Sequence, residues 1–149
     1  MTYKSQVAYD GSDDAVRNKD VNSVNLQFVE ESLVDTTNVS AATHYYPASY
    51  GLSMAGYKDL SITGKLIDAD GTLTLTIHGT NDEDSSGDWH QVYGYDDIAN
   101  TTLNSWTVTN GTKTFAISLN ECNFKYIYVK VVATGATNTV IIKARRKAL

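Results

Sequence analysis

Only one cysteine, Cys122, and one proline, Pro47, occur in the 149 residues of this chain. A lone thiol closes no intrachain disulfide, so the fold must rest on packing and hydrogen bonds, and a disulfide-stapled scaffold is excluded. A zinc site built on several thiolates is excluded with it. No apolar run approaches the roughly 20 residues that a membrane-spanning helix needs. The opening MTYKSQVAYDGSDD has no apolar h-region and no small-residue cleavage site. These absences predict a soluble chain with no signal peptide and no membrane partner. Basic charge is also scarce: 12 Lys and Arg face 17 Asp and Glu, for a net charge of -5. That balance predicts no nucleic-acid partner. There is no G-x-G-x-x-G, no P-loop and no G-x-S-x-G nucleophile elbow. Nor does any pair of carboxylates stand out for glycosidic acid-base work. The chain reads as a non-enzyme.

What is present points to strands. Tyr, Thr, Val and Ile suit pleated, half-buried surfaces, and a chain of this length buries roughly 68–70% of its unfolded surface as one domain. In GTLTLTIHGT, Leu73, Leu75 and Ile77 alternate with Thr72, Thr74 and Thr76, the period of two expected where one sheet face is wet. Ile127, Val129 and Val131 alternate in the same way with Tyr126, Tyr128 and Lys130. Further strands are expected over 24–37, 57–67, 88–96, 105–109, 111–119 and 136–146, with a long loop holding short extended pieces over 39–56 and one Asp-capped helical turn within 96–103. DADG at 68–71 and Asn110-Gly111 read as hairpin turns, and Gly64 as a bulge or a close backbone approach. About seven or eight strands with regular turn signals predict an all-β, antiparallel β-sandwich. Residues 1–23 are polar and without period, and predict an extended N-terminal arm or loosely packed strand ahead of a single sandwich domain over 24–149.

Asp68 and Asp70 begin like a calcium loop, but the positions that should supply later oxygens fall on the alternating strand, so a turn is the better reading. Asp82, Asp84 and Asp88 are weak calcium candidates, set against an ordinary solvated loop; no other cofactor is expected. His78 and His90 fall on adjacent expected strands and could face each other. Cys122 reads as a buried, inert thiol. Trp89, Tyr93 and Tyr95 share one face of the expected strand 88–96, with Trp106 close by if the strands neighbour in order. Such a row either stacks sugar rings or fills a core or subunit interface.

Two stretches, SLVDTTNVSAATHYYPASYGLSMAGYKDLSITGKLIDADGTLTLTIHGTNDED and FKYIYVKVVATGATNTVIIKARRKAL, resemble jelly-roll structural domains of tailed-phage virions, above all small capsid decoration or head auxiliary proteins. The resemblance spans residues 31–149. It implies a jelly-roll-like sandwich and a virion protein assembled in the host cytoplasm. It also implies homo-oligomers, commonly trimers, that bind the major capsid protein or other virion proteins and so decorate or stabilise the shell. On that reading Tyr3, Val7, Tyr9 and Val16 in the arm, and Arg145, Arg146 and Lys147 at the basic end, are the expected contact residues; a solvated basic end is the plain alternative. The competing function is a carbohydrate-binding or host-adhesion module of a fibre or tail, using Trp89, Tyr93, Tyr95 or Trp106.

Overall fold

Antiparallel strands account for nearly all regular structure. The computed structural model describes residues 28–48, 51–82 and 88–148. The expected arm, with Tyr3, Val7, Tyr9 and Val16, lies outside the described residues, as do residues 24–27. In chain order the strands are β1 (Phe28–Thr37), β2 (Thr43–Tyr46), β3 (Leu52–Ser53), β4 (Asp59–Thr80), β5 (His90–Val92), β6 (Gly94–Asp96), β7 (Thr101–Leu103), β8 (Trp106–Leu119), β9 (Tyr126–Ala133) and β10 (Asn138–Lys147). Among the described residues there is no helix. The fold is an all-β, jelly-roll-like antiparallel sandwich.

The length of β4 explains how the sandwich forms. Its 22 residues would extend roughly 70 Å at about 3.3 Å per residue, whereas a domain of this size has a radius of gyration of only about 15 Å. The strand therefore has to bend. Its first half pairs with β10 on one side and the second half of β8 on the other. Its second half pairs with β9 on one side and with the start of β8, then β5, on the other. One layer thus runs β1-β10-β4-β8-β6-β7, and the other is built on β9, which also carries β2 and β3. The two layers share β4 and β8, which pass through the corner without a break in the chain.

This geometry corrects two sequence expectations. DADG and Asn110-Gly111 are not hairpin turns; each lies inside one continuous strand, β4 or β8. They sit side by side at the corner, where Asp68 pairs with Gly111 and Thr72 with Thr109, so that residues 69–71 oppose Asn110 alone. The unequal insertion bends the ladder, as a bulge does. It also switches which parity faces inward. Leu60, Ile62, Leu66 and Asp68 are buried before the corner, and Leu73, Leu75 and Ile77 after it. The chain between β9 and β10 turns at the same level, with buried Val129, Val131 and Ala133 giving way to buried Asn138, Val140 and Ile142. Three neighbouring chain segments change face together, and one core stays continuous.

Side chains fasten the corner. The N–H groups of Thr137 and Ala136 donate to the two carboxylate oxygens of Asp70 at 3.0 and 3.3 Å, which together hold its carboxyl below the usual range. Buried Asn138 accepts the Val39 N–H at 2.8 Å and donates to the carbonyls of Val39 and Gly135. Gly71 and Gly135 approach so closely that a Cβ on Gly71 would meet the Gly135 nitrogen at 2.5 Å. The turn residues are needed here, but for a close approach between distant segments.

Gly64 behaves as expected of a close approach: a Cβ there would run into the Ile141 carbonyl and the Phe115 ring. The expected single strand 88–96 is split into β5 and β6, which attach to different strands, β4 and β8. The expected helical turn is a plain turn over residues 97–100, capped by Asp96, whose Oδ1 accepts the N–H groups of Ile98 and Ala99 at 3.0 and 3.3 Å. Behind that turn, Trp106, fully buried, donates its indole N–H to Asp96 Oδ2 at 2.9 Å.

Candidate functional site

The outward faces of the strands carry what chemistry the surface offers. In the β9 layer, alternation sends Tyr126, Tyr128 and Lys130 outward while Ile127, Val129 and Val131 go inward. His78 on β4 is directly opposite Tyr128, and the two rings stack with centroids 5.1 Å apart. Trp89, from the segment entering β5, tilts onto Tyr128 at 4.4 Å, and Tyr45 of β2 meets it edge-on at 5.2 Å. The result is an aromatic patch with Tyr45 still 45% exposed. Burial pushes the Tyr128 phenol up, helped by Tyr45. Burial, then the charge of Lys130, pushes His78 down and favours its neutral form, and its Nε2 lies 3.0 Å from Thr76 Oγ1 in a hydrogen bond. Beside the aromatics the same face carries a threonine ladder, with Thr72 and Thr109 hydroxyls 2.9 Å apart.

The sequence placed Trp89, Tyr93, Tyr95 and Trp106 near one another, and the structure separates them. Trp89 joins the Tyr128 patch. Trp106 is enclosed in the core. Tyr93 and Tyr95 stand together on the outer face of the other layer, 67% and 40% exposed. There they border a groove whose far wall is the loop over 120–124. Tyr45, His78 and Tyr128 were not singled out from the sequence as a cluster. Tyr128 and His78 did carry a signal, since both are polar-face positions of clean alternating strands, but their adjacency depends on the β4–β9 register.

His78 and His90 do not face each other. Gly79, not His78, is opposite His90, and an offset of one residue puts the two side chains on opposite faces. The basic residues are not a free tail. Arg145, Arg146 and Lys147 belong to β10, which is hydrogen-bonded on both sides by β1 and β4. Arg146, its side chain only 13% exposed, pairs with Glu31 at 2.6 Å, donates to the Ser53 carbonyl at 2.7 Å and lies over the Tyr57 ring. Arg145 is half exposed, pairs with Glu30 at 3.3 Å and covers Phe28. Lys147 stands 5.9 Å from the same ring.

Among the calcium candidates, Asp84 lies outside the described residues. Asp82 Oδ2 accepts the Asp88 N–H at 2.7 Å, which closes the ends of that loop. Among the described residues no three His, Cys, Asp or Glu side chains converge as metal ligands. Cys122 is half-buried, and burial raises its thiol pKa.

No family model matches the chain, and no curated protein matches it. Solved structures share its fold. The SPBc2 prophage-derived protein YomS is 15% identical, with 79% of this chain and 94% of that one covered at a TM-score of 0.50. The PBSX exported protein XepA is also 15% identical, at a TM-score of 0.55; the match spans 98% of this chain but 44% of that protein.

Proposed function

We propose that this chain is a non-enzymatic structural protein of a phage particle, which binds the capsid surface and decorates or stabilises it. The observation that carries the reading is the fold, which is similar over 79% and 98% of this chain to proteins described as the SPBc2 prophage-derived protein YomS and the PBSX exported protein XepA. The surface chemistry agrees with a binding role. Tyr45, Trp89 and Tyr128 offer rigid aromatic area with few rotors to freeze, the composition that anchors protein interfaces. Copies arranged by symmetry would strengthen one another, because each bound contact raises the effective concentration of the next. Homo-oligomers, with a trimer as the first case to test, and the major capsid protein as the partner belong to the same proposal.

Quantitative mass spectrometry of purified particles from the source tests it directly. A copy number comparable with that of the main shell protein is the expected result. A handful of copies moves the chain to the tail or a fibre and overturns the decoration reading. Absence from particles overturns the virion reading altogether.

A further inference from the structure

We infer that the groove between Tyr93 and the loop over 120–124 binds a neutral, extended oligosaccharide. This goes beyond the particle reading and does not depend on it. The groove begins with β6. Gly94 is buried against Ile117 and Trp106, while Tyr93, just before β6, and Tyr95, within it, are both exposed. Tyr95 is flanked by Thr102 on β7 and Ser118 on β8, its paired residues on either side. Asn120, Glu121 and Asn123 continue the wall beyond Ser118, and the hollow encloses about 380 Å³.

The chemistry selects the ligand class. Tyr93 is 67% exposed, more than Tyr45 or Tyr95, and leaves a large aromatic face in water. Sugar rings present C–H faces that lie against aromatic rings and edge hydroxyls that need donors and acceptors in the same plane. Hydroxyls and side-chain amides supply both roles, and here Thr102, Ser118, Asn120 and Asn123 surround the rings. Concave sites with aromatic walls and a few placed polar groups are the usual form of small-ligand sites. Among the described residues the charges at the groove are acidic, Glu121 in the wall and Asp97 accepting the Ser118 hydroxyl at 2.8 Å, so anionic ligands are disfavoured. Two exposed rings one residue apart, lining one open groove, suit a β-1,4-linked chain, whose sugars follow one another in a line, better than a coiled α-linked one.

The test uses the full chain and calorimetric titration with chitohexaose and cellohexaose, with maltohexaose as the coiled comparison. At least one β-1,4-linked hexaose is expected to bind in preference to maltohexaose. Tyr93→Ala should weaken that binding roughly tenfold or more, the size of a stacking anchor, with an unchanged melting temperature because the side chain is exposed. Tyr45→Ala, on the other layer, should leave it intact. Failure of both β-linked probes at millimolar concentration overturns the inference. So does binding that survives Tyr93→Ala, or that is lost equally in Tyr45→Ala.

Discussion

Replacing Asp96 by alanine should be among the more damaging single changes in this protein, although the residue lies next to a surface turn. Its carboxylate is 1% exposed and holds two things at once: the N–H groups of Ile98 and Ala99, and the indole N–H of Trp106. Loss of the turn cap costs about 1 kcal/mol. Trp106 weighs more, because it is fully buried; its orphaned N–H would cost about 1–3 kcal/mol. Together the change should remove about 3 kcal/mol, a fall of roughly 6–12 °C in Tm for a domain of this size. Urea denaturation followed by tryptophan fluorescence measures it, with Trp106→Phe as the second arm of a double-mutant cycle. In the Trp106→Phe background no indole donor is left to orphan, so Asp96→Ala should cost only the cap, and the coupling should be about 2 kcal/mol. Equal costs in both backgrounds, or a loss within about 0.5 kcal/mol of zero, would refute the assignment of Trp106 to Asp96. Titration gives an independent check. Burial pushes the Asp96 carboxyl up, but the hydrogen bonds from Ala99, Trp106, Ile98 and Ala116 outweigh it and the net shift is downward. The folded pKa is therefore below the unfolded one, and the stabilisation is complete above about pH 4 and fades as pH falls through the folded value. Asp96→Asn should flatten that limb of the stability profile.

Gly64→Ala drives a methyl group into the Ile141 carbonyl and the Phe115 ring; it should cost about 3 kcal/mol or prevent soluble expression, and a melting temperature near wild type would show that β10 can shift aside. Arg146→Met keeps the aliphatic stem beside Tyr57 but strips donors from Glu31 and the Ser53 carbonyl. A loss of about 1–2 kcal/mol in chemical denaturation is expected, and a neutral result would mean that water replaces the guanidinium. His78 is held below its usual pKa by burial and by Lys130, so the folded state takes up its proton less readily than the unfolded one. Its contribution is present above about pH 6.5 and is lost as pH falls towards the folded value. Melting curves from about pH 8 to about pH 5 should show this decline in the wild type and a weaker one in His78→Gln.

Alternation was enough to read the class. The runs around Leu73–Ile77 and Ile127–Val131 have one apolar and one polar face, and the same inward side chains form the core. That information is local, because the pleat alone assigns successive residues to opposite faces. Gly64 was legible for a similar reason: a residue without a Cβ inside a strand marks a close approach. The pairing partners were not local. Asp70-Gly71 and Asn110-Gly111 announce an unusual backbone, but the same residues serve a hairpin or a bent strand. The choice fell to the long-range ladder that aligns Asp68 with both Gly111 and Asn138. The aromatics divided on the same ground. Nothing near Trp89 or Trp106 in the chain distinguishes a surface ring from a core one; Trp106 is buried because β8 points it inward over Asp96, while Trp89 lies on Tyr128. Likewise the basic run at 145–147 became a paired strand because β1, more than a hundred residues earlier in the chain, adds along its free edge. Periodicity within the sequence determined which side of each strand is wet. Register between distant segments, set by packing one core behind a bent sheet, determined which wet residues meet.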